Sequence, residues 1–325
     1  MKKGLFTVLF SLSLSFSFSQ LISNSPAGIS LADIPFNRQF IQKNKIKTIR
    51  ANVSTKADGD TIVDRGIVRV YDFDTTGNIK RFYFTKIKTC EKKDVTGFYY
   101  GRKKRKIYYA RPVFVYTYDT TFTHFFYDKF SQIIGKRFRD GDFYDTWYFE
   151  YDSLRNVTKE THCRETNAGN VPWEFVLGVQ TILSEEKFTY LLQTPNQIKK
   201  KCFNDENKVY KETIINIDNG GRKLEERSSF IVGWVRTSIF YTYDTLFNLL
   251  EKKMMMSDLE EKSEKWTCEY DKKGNVLIEK YFKNDEEKNQ TDYLYDEQKK
   301  FLRTKLTRHP AEKLITIVKF SYELY

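Results

Sequence analysis

One short phrase recurs along this chain at nearly fixed spacing: an aromatic residue, an Asp, a four-residue turn and an apolar residue. It reads FDTTGNI at Phe73, YDKFSQI at Tyr127, YDSLRNV at Tyr151, YDTLFNL at Tyr243, YDKKGNV at Tyr270 and YDEQKKF at Tyr295. Weaker copies sit at Tyr190 and Ile217, and Phe320-Ser321-Tyr322 looks like the opening strand of one more unit. From Tyr127 the steps are 24, 39, 27, 26, 27, 25 and 27 residues. The 54 residues from Phe73 to Tyr127 are twice 27, which places a degraded unit near Tyr100. The long step implies about a dozen inserted residues between Tyr151 and Tyr190. A period of this size marks a repeat architecture in which each unit is one supersecondary element.

Inside the unit the period is two. Trp266, Cys268 and Tyr270 share a face, as do Trp147, Phe149 and Tyr151, and an apolar residue returns six positions past each anchor. This alternation is that of strands with one buried face. The turn chemistry agrees, because Asp hydrogen-bonds backbone two residues on, and Gly77-Asn78 and Gly274-Asn275 supply positive φ. The recurrent Asp is read as a turn-former. A calcium loop needs several converging oxygens, and one Asp per unit does not provide them.

The phrase resembles the YD repeats of the Rhs superfamily of bacterial cell-surface proteins, over roughly residues 70 to 325. The resemblance implies a repeat scaffold and a shell or accessory role for a secreted effector. The self-cleaving core and C-terminal toxin of the large members have no counterpart here.

The expected fold is all-β: an elongated, twisted antiparallel β-sheet of ~25–27-residue hairpin repeats, with a short N-terminal capping helix. Residues 1–19 read as a secretory signal peptide, with Lys2 and Lys3 ahead of a short Leu/Phe/Ser stretch. Residues 20–325 form a single β-repeat domain, in which 20–45 are a leader and the capping helix. Asp33 would cap that helix, which would run to Lys43 and shield the edge of the first strand. The formal charge is +12, or +10 once Lys2 and Lys3 leave with a segment that contains no acid. The mature protein is expected in the periplasm or at the cell surface.

The four cysteines, Cys90, Cys163, Cys202 and Cys268, include no CxxC pair, so neither a zinc nor a redox site is expected. They are read as small buried residues. Cys163 and Cys202 occupy equivalent positions in successive units, about 9–10 Å apart across two strands, which is beyond disulfide reach.

Two stretches are candidate sites. The run Arg102-Lys103-Lys104-Arg105-Lys106, followed by Tyr108 and Tyr109, suits an acidic polysaccharide. Its bland alternative is a solvated hairpin tip. Trp173, Phe175 and Val176, in the apolar stretch 173–183, form a candidate surface for an envelope protein or a lid packed on the sheet. Met254 to Lys265 reads as a solvated hairpin loop. His124, His162 and His309 are scattered, and neither a nucleophile motif nor a phosphate loop is present. The chain is therefore expected to be non-enzymatic and without cofactor, with no nucleic-acid partner. A transmembrane barrel is not expected either, because Lys, Glu and Arg fall on both strand faces and Glu323 interrupts the last strand. The mature chain is accordingly expected not to span a membrane.

Overall fold

The computed structural model describes residues 20–23, 34–100, 106–169, 174–233, 235–257, 261–296 and 301–325. A short helix α1 (Arg38–Lys43) precedes eighteen strands. They are β1 (Ile46–Ala57), β2 (Val63–Phe73), β3 (Ile79–Tyr100), β4 (Lys106–Tyr127), β5 (Ile133–Asp140), β6 (Phe143–Tyr151), β7 (Val157–Asn167), β8 (Leu177–Thr194) and β9 (Gln197–Phe203). The second half continues with β10 (Val209–Ile217), β11 (Lys223–Phe230), β12 (Arg236–Tyr243), β13 (Leu249–Ser257), β14 (Glu261–Tyr270), β15 (Val276–Lys283), β16 (Glu286–Tyr295), β17 (Leu302–His309) and β18 (Leu314–Leu324).

Each strand pairs antiparallel with its sequence neighbours, and β18 returns to β1, with Ala51 opposite Phe320 and Val53 opposite Val318. β1 also pairs β2, with Ile49 opposite Tyr71. The sheet is a closed barrel. This corrects the expected elongated sheet and, with it, the likeness to an open repeat shell. The physical reason lies in the last partial unit. Phe320-Ser321-Tyr322 does not open a further hairpin but completes the ring, so that no edge strand is left unpaired. The closure is reinforced where Tyr325 Oη donates to the Phe73 carbonyl and Tyr325 N donates to the Lys45 carbonyl.

The repeat phrase builds one rim. Asp152 Oδ1 accepts from the backbone N–H of Leu154 and Asn156, and Asp74, Asp128, Asp218, Asp244 and Asp271 make the same two bonds. The anchor tyrosine then reaches across to the preceding strand. Tyr127 Oη donates to the Ile79 carbonyl, Tyr151 to Ile133, Tyr243 to Lys223, Tyr270 to Leu249 and Tyr322 to Leu302. Five units are thus tied at the base by the anchor residue itself.

Residues directly opposed in register share a face, so the pairings assign two faces around the ring. Ile49, Tyr71, Phe82, Thr123 and Phe138 lie on one; Arg50, Val70, Tyr83, Phe122 and Arg139 lie on the other. The N-terminal segment shows which is the lumen. Residues 21–23 and 34–37 are held together by Asn37 N to Leu21 O, at 2.7 Å, and by Ser23 N to Pro35 O. From this small unit Gln20 reaches Asn248, in the β12–β13 turn, while Arg38 reaches the Thr76 carbonyl in the β2–β3 turn. Those turns lie on opposite sides of the ring. The segment therefore crosses the mouth from inside.

It lies against the first face, with Phe36 against Tyr71 and Phe73, at 4.8 and 5.4 Å between ring centres, and Phe40 against Phe301. Leu21, Ile41, Ile46, Ile49, Tyr71 and Leu302 are fully buried there. The helix is shorter than expected and is capped by Asn37, whose Oδ1 accepts from Gln39 N and Phe40 N. Its role also differs, because β1 has no free edge to shield and the helix instead stoppers the lumen.

Glycine is required where the stopper's backbone meets the rim at Gly77, and at Gly274 the contact is with the Gln20 side chain. Gly77 and Gly274 both have positive φ, and a Cβ on either would overlap Arg38 O or Gln20 Nε2. The equivalent left-handed positions in other turns hold Ser131, Arg155 and Phe247.

Three local expectations are corrected. The stretch from Phe73 to Tyr127 is one long hairpin rather than two units, since β3 and β4 are 22-residue strands that extend the wall well past its neighbours. The 39-residue step is absorbed by a long β8 and by residues 168–176, and Met254–Met256 lie within β13 rather than in a loop. Cys90 is exposed and Cys268 half-buried, while Cys163 and Cys202 are buried on opposite faces of the wall.

Candidate functional site

Eighteen strands enclose more space than side chains can fill, so the lumen is the concave surface on which a site can form. One level of it carries a regular charge pattern. The fourth residue of each odd-numbered strand from β5 to β17 points into the lumen. Around the ring these residues are Lys136, Glu160, Lys200, Glu226, Lys252, Glu279 and Lys305, strictly alternating in sign. Their opposed partners on the even-numbered strands are Phe125, Phe149, Tyr190, Ile215, Tyr241, Cys268 and Tyr293. Charges of opposite sign are thereby separated by a mainly aromatic spacer. On β1–β3 the level turns apolar, with Ile49, Tyr71 and Phe82.

The ammonium groups rest on aromatic faces. Lys200 Nζ lies 3.9 Å from the Phe188 ring centre, Lys252 4.9 Å from Trp266, Lys136 5.5 Å from Trp147 and Lys305 5.6 Å from Tyr293. The carboxylates take hydroxyls: Tyr241 Oη donates to Glu226 and Tyr293 Oη to Glu279, at 3.0 and 3.2 Å. Neighbouring ring charges are two strands, about 10 Å, apart. In water that is worth about 0.4 kcal/mol per pair before screening. The ring is therefore a weak contributor to stability and a strong organiser of the lumen's polarity.

Where the stopper meets β13–β17, a cleft of about 320 Å3 opens between them. Ile22, Ile34, Leu249 and Val276 give it an apolar base, and Lys252, Trp266, Glu279, Tyr293 and Lys305 give it a polar wall.

The outer face manages charge differently. Glu165 is fully buried and accepts from Arg137 Nε (2.8 Å), Thr146 Oγ1 (2.7 Å), Tyr148 Oη (2.7 Å) and Gln180 Nε2 (2.7 Å). Phe175 closes over this network, 3.7 Å from the Arg137 guanidinium and 4.8 Å from the Tyr144 ring.

Of the sequence-predicted residues, Arg102, Lys103, Lys104 and Arg105 lie outside the described residues. Lys106, Tyr108 and Tyr109 begin β4, and only their backbone is described. Trp173 also lies outside. Phe175 is turned against the wall, and Val176 is 55% exposed. Sequence reading missed the lumen ring, although a signal was there. Lys136, Glu160, Glu226, Lys252 and Glu279 each stand nine residues past an anchor, and Lys200 and Lys305 ten.

No protein-family model matches the chain, and no curated protein sequence matches it. Among solved structures it is similar to a porin-like protein from Bacteroides uniformis, at 11% identity and TM-score 0.37, over 86% of this chain and 97% of that one. A porin-like protein from Bacteroides vulgatus is similar at 10% identity and TM-score 0.30, over 84% and 97%. The barrel itself is established by its own registers.

The expectation that the chain does not span a membrane, drawn from charges on both strand faces, is overturned by the closure of the sheet. A closed barrel is the all-strand architecture able to cross a bilayer, since it satisfies every backbone group internally.

Proposed function

We propose that this protein is a non-enzymatic barrel of the bacterial outer envelope that admits a polar ligand to its lumen. One observation carries the reading: a hollow, closed 18-stranded wall, stoppered at one mouth, whose interior presents a ring of alternating charges spaced by aromatics. Aromatic faces suit the C–H faces of sugars, and ammonium groups suit carboxylates, so an acidic glycan is the ligand class the lumen favours. In sequence the basic run 102–106 falls between β3 and β4, and its charge suits the same polymer.

A protein partner is a second reading. It is favoured by the exposed apolar residues Val176, Leu177, Val179 and Ile182 at the start of β8.

Fractionation of the producing cells tests the envelope assignment. The protein is expected in the outer-membrane fraction after a urea wash, and to migrate faster on gels when unheated. Recovery in the soluble periplasmic fraction, with mobility independent of heating, would overturn it.

A further inference from the structure

The cleft between the stopper and β13–β17 has the dimensions and chemistry of a ligand site, and we propose that it binds a short acidic saccharide of one or two rings. This deepens the envelope reading and rests on it. At about 320 Å3, the cleft stands at the small end of ligand pockets, which run from ~300 to ~1,000 Å3. Its wall follows a symmetrical order from β13 to β17: Lys252, Trp266, Glu279, Tyr293, Lys305. A cation stands at each end, an aromatic inside each cation, and a carboxylate at the centre.

Each part has a counterpart on an acidic sugar. The apolar face of a pyranose ring stacks on the Trp266 indole. The sugar carboxylate accepts from Lys252 Nζ or Lys305 Nζ, both of which are already held over aromatic rings. Sugar hydroxyls donate to Glu279, which Tyr293 Oη holds in place at 3.2 Å. The central carboxylate also sets the class. It would repel a phosphate-rich ligand, and it rewards one dense in hydroxyl donors with its charge confined to the ends. Ile22, Ile34 and Pro35 close the side facing the lumen axis, so the stopper is part of the site.

The test is calorimetric titration of the refolded full-length barrel with digalacturonic acid, with neutral cellobiose as the control, alongside tryptophan fluorescence. Saturable binding of digalacturonic acid, at least tenfold tighter than that of cellobiose and weakened by added salt, is expected. Lys305→Met and Lys252→Met should each raise Kd about tenfold or more, the loss of one charge-assisted hydrogen bond. Trp266→Phe should keep binding within a few fold while removing the ligand-dependent fluorescence change. Heat-dependent gel mobility establishes that each variant has folded. If a lysine variant fails to fold, the wild-type selectivity and the Trp266→Phe fluorescence decide. Equal binding of the two sugars, no binding of either, or a fluorescence change that survives Trp266→Phe would each overturn the proposal. A barrel found in the outer membrane that binds neither sugar would leave the envelope reading standing and remove only the ligand.

Discussion

Glu165 and Glu279 are strand glutamates of the same barrel, one on its outer face and one on its inner. Glu165 is fully buried and surrounded by four donors, one of them a guanidinium. Glu279 is half-buried, accepts the Tyr293 hydroxyl, and borders an open cleft. The outer wall repeatedly settles charge at bonding distance between adjacent strands: Asp72 with Arg81 at 2.6 Å, Glu185 with Lys159 at 2.8 Å, Glu212 with Lys199 at 2.8 Å and Asp292 with Arg308 at 2.5 Å. The lumen ring instead sets opposite charges two strands apart with mainly aromatic residues between them, although Glu226 also meets Lys223 at 2.7 Å and, off the ring, Asp145 meets Arg164 at 3.4 Å. Charge locked in pairs serves the wall. Charge held apart is available to a ligand.

The sharpest way to break this comparison is at Glu165. Glu165→Ala removes the acceptor of four groups and leaves Arg137 buried without its carboxylate, so a loss of about 3–5 kcal/mol is expected in urea unfolding. Glu279→Ala should cost far less stability while altering the cleft. Equal losses at the two sites would erase the distinction.

Gly77→Ala acts on the stopper. The new Cβ meets the Arg38 carbonyl at a residue with positive φ, and destabilisation of roughly 1–3 kcal/mol is expected. Gly221→Ala, where a Cβ would meet nothing within 4 Å, should suffer only the backbone strain and so lose less. Tyr151→Phe removes one hydroxyl bond to the Ile133 carbonyl, with an expected loss of about 1 kcal/mol. Smallest should be Arg81→Ala, since Arg81 is 44% exposed and its pair with Asp72 is largely solvated, so a change below about 1 kcal/mol is expected.

The rim adds a dependence on pH. Hydrogen bonds from Asn156, first from its side chain and then from its backbone, hold the Asp152 carboxyl below the ordinary aspartate value, and those from Arg222 do the same for Asp218. A depressed folded value means that the stabilisation is complete above the ordinary aspartate value and is lost as pH falls through the folded one. Acid unfolding of Asp152→Asn should therefore show a shallower loss of stability below about pH 4 than the wild type. An unchanged acid limb would show that the turn carboxylates are not linked to folding.

Much of the wall was legible in the sequence. The 27-residue period, the strand alternation and the turn role of Asp all follow from local chemistry, because each unit is built from contacts within a few residues of its anchor. Closure was not legible, because it depends on one pairing between the two ends of the chain. Nothing local distinguishes Phe320-Ser321-Tyr322 as the partner of Ile49 and Ala51 from the start of another hairpin. The inward or outward sense of each charge was hidden for a related reason. Lys and Glu fall on both faces of the strands, and only the ring of registers shows that one set alternates in sign around a lumen. Lys106 and Phe175 were singled out for local composition, which carries no information about the concave surface made by strands far apart in sequence.

Closure is the central claim, and it is tested most directly at the seam. Asn52 and Lys319 stand directly opposite each other on β1 and β18, both exposed. Opposed Cα atoms lie about 4.5–5.5 Å apart, within disulfide range. In a background with the four native cysteines replaced by serine, Asn52→Cys with Lys319→Cys should oxidise within the folded monomer to a disulfide that shifts its unheated gel mobility and joins the two ends of the chain. A pair that stays reduced in the folded protein, or links only between molecules, would mean that β1 and β18 are free edges and that the sheet is open.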